Sequence, residues 1–198
     1  MRAVGNERQY FSQELGAGPH GENVRRNSHG WEVDAGTAIE ITRITTAEVY
    51  IGYLHQYYEN PLFKSPSGLG YGGNLIWNVT PITTIRGSFS QAVAETTLVN
   101  ASSSLETSVQ LTVEHELLRN LLILGSVGFV HDDYQQQVVG SPRSDDTFGA
   151  DIGARYLLNR NWSATADVNY SQRSSSAGNV ATGNYKRVQA IVALKLAY

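Results

Sequence analysis

Apolar and polar residues alternate one by one over most of this chain, and the alternation limits what it can fold into. Between Trp162 and Tyr170 every even-numbered residue is apolar and every odd-numbered residue is polar. Segments 148–156 and 105–114 repeat the pattern. Successive side chains of a β-strand point to opposite faces, so each segment predicts a strand with one apolar and one polar face. An amphipathic helix needs apolar residues three and four positions apart, and these segments lack that spacing.

The connections between the alternating segments are of two kinds, which follow each other in strict order. Short connections lie at residues 42–44, 79–82, 118–120 and 159–161. Long connections, rich in Gly, Ser, Pro and Asn, lie at residues 12–30, 59–68, 97–103, 136–145 and 174–183. Short turns on one side and longer loops on the other are typical of barrels that span a membrane with strands. The pattern predicts about ten strands, near residues 2–11, 31–41, 45–58, 69–79, 83–96, 104–117, 121–135, 146–158, 161–173 and 184–198.

The composition excludes several other classes of protein. Charged residues make up 17% of the sequence, below the roughly 25% of ordinary soluble domains. No run of Lys or Arg indicates a nucleic-acid partner. No segment approaches the roughly 18 apolar residues of a membrane helix, whereas barrel strands average to mild polarity because they alternate. The chain has no cysteine, which excludes disulfides and thiolate metal sites.

These observations predict an all-β fold, an antiparallel up-and-down transmembrane β-barrel with about ten strands in this chain. We expect a single barrel domain over residues 1–198, in contact with lipids of the bacterial outer membrane in a Gram-negative envelope. The first residues lack the apolar stretch of a signal peptide. An exported protein with this beginning has either lost its signal or is the C-terminal part of a larger barrel.

Aromatic residues lie where the two membrane interfaces are expected. One group falls near the short turns or at the end of the chain, and it comprises Trp77, Tyr156, Trp162 and Tyr198. Trp31 and Tyr170 lie nearer the long loops. We interpret the two groups as interfacial belts; the alternative is that aromatic residues simply favour strands.

Charged residues of both signs fall on the polar side of the alternation. The candidates for a lumen lining are Glu106, Glu114, Asp151, Arg155, Asp167, Arg173 and Arg187. They either pair into a plug that fills a narrow barrel or line a pore that binds sugar hydroxyls or ions. Side chains fill a barrel of about eight strands, and open channels occur at about sixteen. We therefore expect a largely plugged interior, unless further strands or partner proteins complete a conduit.

Three groups of residues are candidates for catalytic or metal-binding sites. Residues 114–116 (Glu-His-Glu) alternate between the two faces of a strand, so their side chains cannot converge. Residues 131–133 (His-Asp-Asp) lie at the outer end of a strand, a level at which some outer-membrane enzymes carry such groups, but no activated serine is near. The histidines of residues 12–30 lack the spacing of metal ligands. We therefore predict no catalytic residue, no metal site and no cofactor.

Three segments resemble a family of porin-like outer-membrane β-barrel proteins associated with bacterial exopolysaccharide gene clusters. They are residues 77–84 (WNVTPITT), 114–121 (EHELLRNL) with Asp133-Tyr134, and 156–162 (YLLNRNW) with residues 173–175 and 184–185. Tyr198 also looks like the terminal aromatic residue that the outer-membrane assembly machinery reads. The resemblance implies a channel or accessory in the export of extracellular polysaccharide, with polysaccharide or export-system proteins as partners.

Three other hypotheses remain open at this point. The first is a small plugged barrel with a structural or adhesion role through its outer loops. The second is an outer-membrane enzyme. The third is a soluble barrel that binds an apolar ligand inside, which requires the apolar face to point inward.

Overall fold

The part of the chain that the structure describes forms ten β-strands in one antiparallel sheet, in which each strand pairs with the next along the sequence. The structure is a computed structural model, and it describes residues 2–9, 25, 27–61, 63, 65–94, 96, 101–136, 143–176 and 183–196. The strands are β1 (Arg2–Arg8), β2 (Ser28–Thr42), β3 (Thr45–Tyr58), β4 (Ser67–Thr80), β5 (Thr83–Ala94), β6 (Ala101–Leu118), β7 (Leu121–Gln136), β8 (Arg143–Leu157), β9 (Trp162–Ser175) and β10 (Tyr185–Leu196). The all-β, up-and-down architecture predicted from the alternation is confirmed.

The four short turns lie where the sequence predicts them, and side chains next to the backbone stabilise three of them. The backbone N–H of Ile44 donates to Thr42 Oγ1, and that of Ile82 donates to Thr80 Oγ1, each over 3.3 Å. Asn159 Oδ1 accepts from two backbone N–H groups of its own turn, both at 2.9 Å. Threonine and asparagine suit these turns because their short polar side chains replace a backbone partner.

Four strands begin earlier than the alternation predicts. β4 begins two residues early, at Ser67, and three strands begin three residues early, namely β2 at Ser28, β6 at Ala101 and β8 at Arg143. The sequence predicts loops over 12–30, 59–68, 97–103 and 136–145. The prediction was wrong here because residues 101–104 and 143–146 carry almost only polar and small side chains. Alternation of apolar and polar residues stops where one face no longer meets an apolar environment, but backbone pairing between the strands continues.

The register assigns the strand residues to two faces of the sheet, which we call the apolar face and the polar face. On the apolar face Val109 pairs with Phe89 on one side and with Phe129 on the other. Side chains of this face are strongly exposed, for example Val192 at 82% and Ile152 at 62%. A water-soluble protein rarely exposes such a continuous apolar surface, so this face requires an apolar environment. The finding opposes a soluble barrel with its apolar face turned inward.

The sheet has two edges, β1 and β10. Among the residues that the structure describes, β1 pairs only with β2, and β10 pairs only with β9. Every residue of β10 is exposed. No helix in the described ranges is long and apolar enough to cross a membrane.

Candidate functional site

Side chains of six consecutive strands, β5–β10, line one cavity of about 450 Å³ on the polar face, which we call the polar groove. The polar face is concave here, because side chains from all six strands surround the same space. Several lining side chains carry a hydroxyl or amide group, and they are Ser88, Ser108, Gln110, Ser126, Thr147, Asn169, Ser171 and Gln189. Each of these side chains can both donate and accept hydrogen bonds.

Two glycines form the floor of the polar groove. Gly128 on β7 and Gly149 on β8 are direct partners in the register. A Cβ atom on Gly149 would meet no atom within 4 Å, and one on Gly128 would meet only the carbonyl oxygen of Val109 at 3.6 Å. The groove is deep at this place because no side chain rises from its floor.

Asp151 and Arg187 are the charged residues that line the polar groove. Asp151 pairs with Asn169 across β8 and β9, and Arg187 pairs with Ser171 across β10 and β9. Neither charged side chain forms an ion pair with another described residue. Their polar atoms are therefore available to a molecule in the groove.

An ion-pair cluster lies at the long-loop end of the polar groove, and we call it the Asp145 cluster (Tyr134, Arg143, Asp145 and Arg173). Arg143 donates from Nε to Asp145 Oδ1 over 3.1 Å and from Nη2 to Oδ2 over 2.8 Å. Arg173 Nη2 donates to the same Oδ2 and, over 2.8 Å, to Tyr134 Oη. The Asp145 side chain is completely buried. Charge-assisted bonds of this bidentate kind are stronger than neutral ones, so the cluster fixes the ends of β7, β8 and β9 together.

The Asp145 cluster lies outside the membrane-spanning part of the strands. At the same level the apolar face carries His131, Asp133 and Asp146 instead of apolar residues. His131 Nδ1 lies 2.7 Å from Asp146 Oδ1, and both side chains are about half exposed. Charged and hydrated groups of this kind are not placed in hydrocarbon, so this end of the sheet meets water or lipid headgroups.

The cluster keeps the Asp145 carboxylate ionised. Burial alone would raise the pKa of Asp145, but hydrogen bonds from Arg143, Ser175 and Arg173 outweigh burial and hold the pKa at about 2. A buried carboxylate with two arginine partners is stable only while it is charged. The cluster therefore persists across the physiological pH range.

All seven lumen candidates from the sequence lie on the polar face. Glu114 pairs with Arg86 over 3.1 Å in a partly exposed position, and Arg173 belongs to the Asp145 cluster. Asp151 and Arg187 line the polar groove. The others form no ion pair with the residues that the structure describes, and they are Glu106, Arg155 and Asp167.

The predicted belt residues lie on the apolar face, apart from Tyr198, which is outside the described residues. Trp77 and Trp162 stand close to short turns, and Tyr156 lies one residue before the end of β8. Trp31 contacts Tyr53, with 5.9 Å between the ring centroids. At the long-loop side, the centroids of Tyr170 and Phe148 are 6.3 Å apart.

The groups considered as chemical sites do not assemble. Glu114 lies on the polar face, whereas His115 Nδ1 shares a 2.8 Å hydrogen bond with Thr83 Oγ1 on the apolar face. His131 and Asp132 are likewise on opposite faces. No three His, Asp or Glu side chains in the described ranges could hold a metal ion together. Of residues 12–30, positions 12–24 and 26 lie outside the described residues.

On β2–β4 the polar face is filled by side chains from its middle to the long loops, in contrast to the polar groove, and we call this part the packed half. Leu54, Tyr58 and Phe63 are 4–5% exposed. Phe63 comes from the connection between β3 and β4 and packs against Tyr58, with ring centroids 5.9 Å apart. Tyr50 occupies the space above Gly72, because a Cβ there would lie 2.4 Å from Tyr50 Oη.

Sequence reasoning missed two parts of this site. Arg143 and Asp145 fall in a stretch that the sequence predicts as a loop, so their alignment on one strand face was not seen. Opposite charges two residues apart are a signal for such a pair, once the stretch is taken as a strand. The floor glycines, Gly128 and Gly149, carry no signal of their own, because glycine in a strand only marks a weak or unusual position.

Comparisons with known proteins point to the same architecture. A family model described as "Putative beta-barrel porin 2" matches residues 3–198. No protein with a curated description matches the sequence at a significant level. The solved structure of "Copper transporter OprC" is similar with a TM-score of 0.52 and 11% identity, over 97% of this chain and 36% of that one. The "TodX monoaromatic hydrocarbon channel deltaS2 mutant" has a TM-score of 0.48 and 11% identity, over 98% of this chain and 68% of that one. The likeness to the copper transporter shows the fold alone, and this chain spans about a third of that transporter's length.

Proposed function

The chain belongs to the family described as "Putative beta-barrel porin 2", and from this membership we propose that it is an outer-membrane channel, or an accessory to one, for the export of extracellular polysaccharide. The observation that carries the proposal is the polar groove. Its hydroxyl and amide side chains offer donors and acceptors along one path. A sugar chain presents hydroxyl groups in all directions, so a lining of this kind replaces the water that the sugar loses.

The apolar face supports a location in the outer membrane. Its exposed Val, Ile and Leu side chains need lipid, and the aromatic residues Trp77, Tyr156 and Trp162 stand near the short turns. Outer-membrane barrels place short turns on the periplasmic side and carry aromatic belts at both interfaces. Lipids are then the first partner of this face, and the outer-membrane assembly machinery is the partner of the C-terminal strand.

The two halves of the polar face support different functions. The floor glycines and small hydroxyl side chains leave the polar groove open, which favours a path for solutes. The packed half favours the second candidate, a plugged barrel with a structural or adhesion role through its outer loops.

Conductance in planar lipid bilayers separates the two candidates. We expect discrete current steps from the wild-type protein and a fall to about half or less for Gly149→Leu, since pore dimensions set conductance. Gly125→Leu is the matched control, because Gly125 lies on the apolar face and its Cβ would meet only the Asp151 carbonyl oxygen at 3.9 Å. A silent wild type would favour the plugged barrel. Equal steps in both variants would exclude the groove as the path.

The proposed role in polysaccharide export is tested in cells. A strain without the gene should release less extracellular polysaccharide and retain more in the periplasm. The wild-type gene should restore release, Gly125→Leu should restore it equally, and Gly149→Leu should not. Unchanged release from the deletion strain would refute the export role.

A further inference from the structure

We propose that the polar groove binds a sugar unit that carries a carboxylate, with Arg187 holding the carboxylate and Asp151 holding hydroxyl groups of the same sugar. The inference rests on the proposed function of the groove as a path for saccharides, and it names the class of saccharide. The two charged residues lie in neighbouring rows of the polar face. Arg187 on β10 shares a row with Gly128 and Gly149, and Asp151 on β8 lies two residues nearer the short turn. Neither forms an ion pair with a described residue, so both are open to a ligand.

Two polar groups without hydrogen-bond partners lie on β9, one in the lining of the groove and one at its long-loop end. Ser171 Oγ and Arg173 Nε are buried and make no hydrogen bond to a described residue. Arg187 is the direct partner of Ser171 in the register, and its guanidinium forms no ion pair within the described ranges. A buried donor without a partner is costly. A carboxylate at this place would accept hydrogen bonds from the Ser171 hydroxyl and the Arg187 guanidinium, which have no such partner among the described residues.

Arg187 is suited to a carboxylate. Its guanidinium carries five N–H donors in a planar fork, which matches the two oxygens of a carboxylate. Arg173 is already held by Asp145 and Tyr134, whereas the exposed Arg187 can move to a ligand. On β7 the nearest acidic residue of the polar face is Asp132, four positions from Gly128. The distance between these two residues along the strand is about 13 Å. Asp132 pairs in the register with Glu106 on β6.

The other side of the groove is suited to hydroxyl groups. Asp151, Asn169 and Gln189 form one row across β8, β9 and β10. A carboxylate accepts from hydroxyl groups on neighbouring ring carbons, and the amides donate and accept beside it. The flat floor of Gly128 and Gly149 lets a ring approach the backbone closely. A hexuronic acid unit presents both kinds of group, a carboxylate at one end and hydroxyls along its ring.

Binding in detergent micelles tests the inference without requiring a current. Titration calorimetry compares tetragalacturonate, in which each unit has a carboxylate, with the neutral maltotetraose. We expect wild-type protein to bind the acidic sugar at least about tenfold more tightly, the usual size of a hydrogen bond to a charged group. Added salt should weaken the binding of the acidic sugar and leave the binding of the neutral sugar unchanged. Equal binding of the two sugars would overturn the inference.

Three variants assign the preference to its residue. Arg187→Gln should remove the roughly tenfold difference, and Arg187→Lys should keep part of it because the charge remains without the fork. Lys186→Gln removes the same charge from the neighbouring position on the apolar face and should leave the preference intact. Loss of preference in Lys186→Gln, or its survival in Arg187→Gln, would contradict the assignment. A silent bilayer with selective micelle binding would refute the channel alone, whereas current without selective binding would refute this inference alone.

Discussion

The packed half and the polar groove belong to one continuous sheet, but side chains fill the polar face in the first and leave a cavity on it in the second. On β2–β4 large side chains such as Tyr50, Leu54 and Tyr58 cover the polar face from its middle to the long loops. On β5–β10 the same face carries serines, amides and two glycines around a cavity of about 450 Å³. Apolar packing holds the packed half together, whereas an ion-pair cluster joins the strands at the end of the groove. The comparison teaches that side chains fill the polar face in one half and leave a cavity on it in the other.

Glycine shows the difference most clearly. At Gly52 a Cβ would lie 2.1 Å from the carbonyl oxygen of Val33, a backbone atom of the neighbouring strand. At Gly149 a Cβ would meet nothing within 4 Å. Gly52 is required because the backbones of two strands approach closely there, whereas at Gly149 a side chain would extend into the empty groove.

The largest expected effect comes from the Asp145 cluster. Asp145→Asn leaves Arg143 and Arg173 without their shared carboxylate, and removal of one member of a buried ion pair costs about 3 kcal/mol. Asp151→Asn is the matched control on the same strand and face, since Asp151 has no ion pair among the described residues. Urea unfolding in micelles, followed by tryptophan fluorescence, measures both. Equal free energies of unfolding for the two variants would show that the cluster does not hold the groove.

The pH dependence of that effect follows from the depressed pKa of Asp145, about 2 in the folded chain. The unfolded value is about 3.9, so the stabilisation is complete above that pH and is lost as the pH falls through about 2. The difference between wild type and Asp145→Asn should stay constant from about pH 8 to pH 5 and shrink below about pH 4. Unfolding curves across this range measure the difference. A decline already near neutral pH would mean that another group controls it.

A smaller effect separates the two kinds of glycine. Gly52→Ala pushes a methyl group against the β2 backbone and should cost about 2 kcal/mol, the usual range for overpacking. Gly149→Ala adds the same methyl group to open space and should leave the free energy of unfolding within about 0.5 kcal/mol. The folded fraction, read from heat-modifiable migration in detergent gels, and urea unfolding give the values. Similar losses at both positions would abolish the distinction between the halves.

The smallest effect is expected at the ion pair between Arg86 and Glu114. The two side chains are 50% and 35% exposed, and exposed pairs contribute less than about 1 kcal/mol. Arg86→Gln should therefore change the free energy of unfolding far less than Asp145→Asn in the same urea experiment. A loss as large as that of Asp145→Asn would show that exposed pairs, too, hold the groove strands together.

Much of the fold could be predicted because its determinants are local. Alternation over residues such as 162–170 fixes which side chains share a face, and the turns at Thr42 and Thr80 contain residues with a known turn geometry. The beginnings of β6 and β8 could not be predicted, since polar residues on both faces give no periodic signal. Backbone pairing with the preceding strand, not hydropathy, extends those strands.

The site was less predictable because its partners are distant in the sequence. The polar-face charges follow from parity alone, but Arg173 and Tyr134 are 39 residues apart and meet only through the register of three strands. The packing of Phe63 on Tyr58 depends on the path of a loop, and residue spacing does not specify that path. The empty space above Gly149 depends on the side chains of the neighbouring strands, so it cannot be predicted from the glycine alone.

The length of the strands has a consequence for what can reach the groove. β6 has 18 residues and β7 has 16, whereas a tilted strand crosses the hydrocarbon with roughly 10. The surplus lies toward the long loops, where both faces of the sheet become polar. The rim with the Asp145 cluster therefore lies beyond the hydrocarbon of the bilayer. A large water-soluble molecule can therefore touch this rim without entering the hydrocarbon, so the rim is accessible from the side of the long loops.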